Sequence, residues 1–227
     1  MAPGANPPND PGAGGNAPAA PDAGCALCPR LVAFRADNHA KFPDFHNAPV
    51  ASFGPLGARL LIVGLAPGLK GANRTGRPFT GDYAGDLLYP TLLRFGFARG
   101  AFGASADDGL ELVDCRITNA VRCVPPQNKV TGDEAAACRP FLVAEIAAMR
   151  NLTTVLALGL VAHNAVLRTF GEKQSAWKFA HNARHALPNG LTLADSYHCS
   201  RYNTNTGRLT EAMFWDVFEG VRGEIEA

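Results

Sequence analysis

LLIVGLAPGLKGANRTGRPFTGDYAGD, residues 60 to 86, decides the fold. It opens with the apolar run Leu60 to Val63, the pattern of a strand buried on both faces in a parallel sheet. A polar loop follows, punctuated by Gly64, Pro67, Gly68, Gly71, Asn73, Thr75, Gly76 and Pro78, and a helical pattern begins near Asp86. Ligands of open α/β sheets bind beyond the carboxyl ends of the strands, and this loop is placed there. It is longer and more polar than a simple connection needs. It carries neither a P-loop nor a dinucleotide-binding glycine motif. It does carry Phe79 among glycines, with Arg74 and Arg77 beside it. That combination suits a flat ring stacked on Phe79 with an anionic backbone nearby.

Three more strand patterns lie downstream, at 110–118, 153–158 and 191–194. Helical patterns separate them. One spans 87–97, with Pro90 in its early turns. Another opens with Thr131-Gly132-Asp133-Glu134, a capping box, and Pro140 should kink or split it near its middle. A short helix at 163–170 stops at Gly171, and a last one at 209–221 shows Met213, Phe214, Val217 and Val221 on one face. The alternation predicts a three-layer α/β/α domain around a mostly parallel, four-stranded sheet. Three of its strands end in polar loops that open on one edge, where they can build one site.

The 227 residues, 47% hydrophobic and 18% charged, make one domain with a proper core. Residues 1–24 hold almost no large apolar group and read as a disordered Pro/Gly/Ala-rich tail; the domain is expected over 25–227. A net charge of +1 confines any nucleic-acid surface to a local patch. No apolar run spans a membrane and no secretory signal is visible, so a cytoplasmic monomer is the expectation. Six cysteines in a reducing compartment point away from a disulfide framework. Cys25 and Cys28 form a C-x-x-C, and Cys123 and Cys138 supply a second, wider pair. Four thiolates can hold a tetrahedral zinc or a [4Fe–4S] cluster. Cys115, inside a strand, reads as a small buried hydrophobe.

Three stretches together resemble the family 5 (type B) uracil-DNA glycosylases, in the iron–sulfur branch of that superfamily. They are GLAPGLKGANRTGRPFTGD (Gly64 to Asp82), TNAVRCVPPQNK (Thr118 to Lys129) and SYHCSRYNTNTGRLT (Ser196 to Thr210). The resemblance runs from about residue 25 to the end and implies hydrolysis of the N-glycosidic bond of uracil in single- or double-stranded DNA, with hypoxanthine and xanthine as further substrates. It implies a [4Fe–4S] cluster on Cys25, Cys28, Cys123 and Cys138. The flipped base would sit among Gly64, Leu65, Ala66, Pro67 and Gly68, stacked on Phe79, with Asn119 reading its edge and His198 donating to the developing oxyanion. The first motif is apolar where relatives of the fold carry a carboxylate or amide, which leaves Asp82 to position water or stabilise the sugar cation. Cys199 stands where relatives commonly have proline after the histidine. DNA contacts are expected from Arg74, Arg77, Arg122, Lys129, Ser200, Arg201, Tyr202, Asn203, Thr206 and Arg208, with Arg201 and Tyr202 placed to wedge into the stack. Two other readings share these residues: a non-catalytic module that binds damaged DNA, and a zinc-containing nucleoside hydrolase.

Overall fold

A computed structural model of the chain describes residues 17–226. Most of the expected tail, residues 1–16, lies outside them, and residues 17–24 form no helix or strand. The main sheet is built from β1 (Leu60–Gly64), β4 (Cys115–Asn119), β5 (Thr154–Leu158), β6 (Arg184–Ala186) and β7 (Thr192–Ser196), in the order β4-β1-β5-β7-β6. Only β6 runs antiparallel to its neighbour. A small antiparallel ribbon pairs β2 (Ala98–Arg99) with β3 (Glu111–Leu112). The helices are α1 (Pro29–Lys41), α2 (Ala72–Thr75), α3 (Tyr83–Arg94), α4 (Gly132–Ala148), α5 (Leu160–Thr169), α6 (Arg201–Asn205) and α7 (Glu211–Glu226).

Every residue of β1 is buried, and its side chains alternate between two cores. Leu60 and Ile62 pack with Leu88 and Leu92 of α3 and Phe214, Val217, Phe218 and Val221 of α7. Leu61 and Val63 face Leu142 of α4 and Ala162, Val166 and Leu167 of α5. This is the three-layer arrangement read from the sequence, with five strands in the main sheet rather than four. The added strand, β6, covers the edge of β7.

Other boundaries moved for identifiable reasons. The pattern at 110–118 is two strands, broken where Asp114 adopts a left-handed backbone (φ 52°) and its carboxylate accepts from the Arg59 backbone at 2.8 Å. Helix α3 starts at Tyr83 because Asp82 caps it, accepting from the Gly85 N–H at 3.4 Å, so Pro90 falls in its interior. Helix α4 carries both bonds of its capping box and continues through Pro140. Pro140 and Ala136, whose carbonyl loses its partner, are both exposed, so water replaces the missing bond.

The four parallel strands end on one edge of the sheet. The long segments after β1, β4 and β7, and the start of α5 after β5, converge there. No helix among the described residues is long and apolar enough to cross a membrane.

Candidate active site and thiol cluster

A cavity of about 620 Å³ opens on that edge. Leu65, Ala66, Pro67, Gly68, Phe79 and Asp82 line it from the segment after β1, Asn119 from the end of β4, and His198, Ser200 and Arg201 from the segment after β7. Residues as far apart in the chain as Leu65 and Arg201 thus face one space.

Glycine makes the convergence possible. Gly64 and Asn119 are register partners at the ends of β1 and β4. A Cβ on Gly64 would lie 2.5 Å from both the Asn119 Oδ1 and the Phe79 ring. Phe79 itself has a left-handed backbone (φ 52°), and a Cβ on Gly85 would meet its carbonyl oxygen at 1.9 Å. The strained turn is held from beneath: the Tyr89 hydroxyl donates to the Pro78 carbonyl at 2.6 Å. The Phe79 and His198 rings stand 6.0 Å apart, tilted by 31°. Replacing Gly64 with Ala is therefore expected to push Asn119 and Phe79 apart and lower turnover about 10- to 10²-fold. Single-turnover rates checked against an unchanged circular dichroism spectrum read this directly.

The electrostatics assign charge states. Burial pushes the Asp82 carboxyl above its ordinary value, opposed by the backbone N–H groups of Gly85 and Ala84 that it caps. Its Oδ2 rests against Gly71, where a Cβ would come within 2.2 Å, and Gly68, where one would come within 3.1 Å. Burial alone pushes His198 below its ordinary value, so it faces the cavity as a neutral imidazole. Its main chain is fixed by Asn203, whose Nδ2 donates to the His198 carbonyl at 2.8 Å. Cys199, fully buried against the α3 and α7 core, anchors the segment in place of a proline.

The expected basic patch is corrected at two positions. Arg77 is buried, forks onto Asp108 through two 2.7 Å bonds, and lies over the rings of Phe53 and Tyr89, each 5.1 Å away. It staples the loop and is not available to phosphate. Arg122 is likewise buried, bonded to Ser52 and Glu145. Arg74 is exposed, donating to the Lys70 carbonyl. Lys129 is exposed at the end of the second motif. Arg201 lies over Tyr83, 5.4 Å from its ring, and Arg208 over Tyr197, at 4.7 Å. Ser200 caps α6, Thr206 donates to the Tyr202 carbonyl at its other end, and Tyr202 is 72% exposed between them. The cavity also takes in Lys70, Tyr83 and Asn128, which sequence reasoning did not single out. Lys70 and Asn128 sit inside the motif stretches, and that was the available signal.

A second, apolar cavity is lined by Cys25, Cys28, Cys123 and Cys138, with Leu31, Val121 and Phe141 around them. The Arg35 Nη1 donates to the Cys123 Sγ at 3.6 Å, and the Arg122 backbone N–H to the Cys138 Sγ at 3.4 Å. Burial raises the thiols of Cys28 and Cys138 and pushes Cys123 up to about 11. No three of these four sulfurs all lie within 4.8 Å of one another. The thiols stand wider apart than the tetrahedron of one zinc, whose sulfurs lie about 3.8 Å apart at the usual bond length. Four convergent sulfurs, N–H donors and an apolar shell suit a larger thiolate-bound group.

The sequence profile of the Uracil DNA glycosylase superfamily matches residues 51–222. The chain belongs to this superfamily. It is 45% identical to the Type-5 uracil-DNA glycosylase of Thermus thermophilus over 85% of this chain and 90% of the relative. It is 40% identical to the Type-5 uracil-DNA glycosylase of Pyrobaculum aerophilum over 82% of each chain. The Type-4 uracil-DNA glycosylase of the same organism is 35% identical over 57% of this chain and 58% of its own. The superfamily match covers all the parallel strands and the whole cavity, and leaves α1 and its two cysteines outside.

Proposed function

We propose that this protein is a DNA-repair glycosylase that hydrolyses the N-glycosidic bond of uracil in DNA and leaves an abasic site. Hypoxanthine and xanthine extend its range, and it acts as a monomer. The observation that carries the reading is the meeting of Phe79, Asp82, Asn119 and His198 in one cavity at the carboxyl edge of the sheet.

The chemistry follows from those groups. A base inside the duplex is out of reach, so it is flipped into the cavity. Phe79 offers a face for its ring. The Asn119 amide both donates and accepts, which suits the adjacent carbonyl and ring N–H of uracil. Cleavage leaves positive charge on the sugar and negative charge on the departing base. A neutral His198 donates to the base oxygen as that charge develops. The Asp82 carboxylate faces the sugar cation and the attacking water. Ser200 and Arg201 line the cavity, and Arg74, Lys129, Tyr202, Asn203, Thr206 and Arg208 would join them along a DNA backbone. The apolar Leu65-Ala66-Pro67 wall fixes few polar partners and so rejects few bases.

Cys25, Cys28, Cys123 and Cys138 would hold a [4Fe–4S] cluster. When bound it would supply a covalent tie between α1 and the rest of the domain, against the hydrophobic group that also takes in Ala66 of the cavity wall.

Asp82 gives a pH test. Its folded-state value is raised, so folding is penalised above the ordinary carboxyl pKa and the penalty fades as pH falls. Activity follows the opposite course, lost in acid as the carboxylate is protonated. Asp82→Asn is expected to lower the rate about 10²-fold while raising Tm slightly at neutral pH and not in acid. Oligonucleotides carrying uracil, hypoxanthine or xanthine, assayed for abasic sites under single-turnover conditions, test the function itself. DNA bound without base release would instead establish the damage-binding module.

A further inference from the structure

Behind the His198 segment lies a buried cluster of titratable groups that the chemistry above does not use. Asp195, on β7 three residues before His198, is completely buried. Its Oδ1 lies 2.7 Å from the His163 Nδ1 and its Oδ2 3.0 Å from the His185 Nε2. The other nitrogen of His163, Nε2, lies 3.0 Å from the Trp177 carbonyl oxygen. Both ring nitrogens of His163 therefore face oxygens that can only accept. A neutral imidazole has one N–H and would turn a lone pair toward one of them; an imidazolium satisfies both.

His181 nearby makes the contrast. The Tyr197 backbone N–H donates to its Nδ1 at 3.1 Å, while its Nε2 faces the Met213 carbonyl at 3.3 Å. One acceptor and one donor position define a neutral ring. Its ring stacks on Tyr197 at 4.9 Å. Residues 195 to 198 are thus gripped from both sides, by the His163–Asp195–His185 cluster and by His181.

The geometry closes on itself. His163 belongs to α5, whose N-cap is Gly159. The Gly159 N–H donates to the Ser196 carbonyl at 2.8 Å, and a Cβ on Gly159 would touch the His198 Cβ at 3.4 Å. Helix α5 reaches the His198 segment twice, once through its N-cap Gly159 and once through His163 and Asp195. We infer that His163 is a positioning residue, a buried imidazolium that through Asp195 sets where His198 stands against the base. This rests on the glycosylase reading above. The titratable groups facing His163 are Asp195 from β7 and His185 from β6; the segment before β6 brings only the Trp177 carbonyl and the Phe179 ring. The carboxylate raises the histidine against the effect of burial. The pair is therefore intact below the ordinary histidine value of 6.5 and is lost as pH rises through the raised one.

The test combines imidazole ¹⁵N NMR of the wild-type protein with single-turnover rates across pH. His163 is expected as an imidazolium at neutral pH while His181 and His198 are neutral. The wild-type rate is expected to fall on an alkaline limb. His163→Asn, which keeps a donor to Asp195 without charge, should lack that limb and run at every pH near the reduced rate that the wild type reaches beyond it. His163→Leu should slow base release about 10- to 10²-fold with DNA affinity unchanged. A neutral His163 in the wild type overturns the inference. So does a folded His163→Leu protein working at the wild-type rate, or a His163→Asn protein that keeps the limb; the last decides if His163→Leu does not fold. A wild type that releases no uracil defeats the glycosylase reading and leaves the NMR result to stand by itself.

Discussion

Exchanging His198 for Ala is expected to slow uracil release by about 10²- to 10³-fold, with little change in affinity for uracil-containing DNA. The size follows from where the imidazole acts. In the ground state the base carbonyl is neutral and a hydrogen bond to it gains little over water. As the glycosidic bond breaks, charge gathers on that oxygen, and a donor in a partly desolvated cavity gains strength with it. Burial pushes His198 below the ordinary histidine value, which favours the neutral donor. Alanine also removes the ring 6.0 Å from Phe79, which opens the cavity to water. Single-turnover kinetics separate this from binding, measured by fluorescence anisotropy on the same oligonucleotide. Partial recovery by His198→Asn, which restores a neutral donor, would support the assignment. An alanine variant within a few-fold of wild type would remove His198 from the mechanism.

Cys138→Ser should have the larger effect on the fold. Helix α1 buries only Leu31 and Asn38, and the Asn38 Nδ2 has no hydrogen-bond partner. Its ion pair, Arg30 with Glu134, is 40% exposed on the arginine side and contributes little. A helix with so little apolar contact needs another tie, and the proposed cluster on Cys25, Cys28, Cys123 and Cys138, which line one cavity, would provide it. Structural metal sites contribute on the order of 10 kcal/mol to folding where they have been measured. Losing even about 4 kcal/mol would lower Tm by roughly 10 °C in a domain of this size. The variant is expected to lose iron, inorganic sulfide and visible colour together. Amide exchange should accelerate across α1 and the start of α4, while β1 and β5 stay protected. A colourless wild-type protein containing zinc would contradict the cluster, and a Cys138→Ser protein with full iron content would contradict the ligand set.

The parallel sheet was legible because β1 and β5 at its centre are short apolar runs and the helices around them have their own punctuation. Thr131 and Glu134 make the clearest case, since both bonds of their capping box form. Strand β6 was not legible: Arg-His-Ala at a sheet edge has neither alternation nor β-branched residues, and only pairing with β7 makes it a strand. The base pocket could be read from the motif stretches, and Phe79, Asp82, Asn119 and His198 do share one cavity. The status of the arginines could not. Arg77 looks like a phosphate ligand until Asp108, 31 residues away, is seen to occupy it. Arg122 is claimed in the same way by Glu145. His163 and Asp195 passed unnoticed because neither belongs to a recognisable spacing.

The bond between Arg77 and Asp108 bears on how this chain can be altered. By composition, residues 100–109 look like filler that an engineer would trim first. Yet they carry Asp108, the counter-ion of Arg77 in the loop that presents Phe79 to the cavity. Shortening that stretch would strand a guanidinium against the rings of Phe53 and Tyr89, and the damage would be felt not at the cut but at the aromatic shelf two residues along from Arg77.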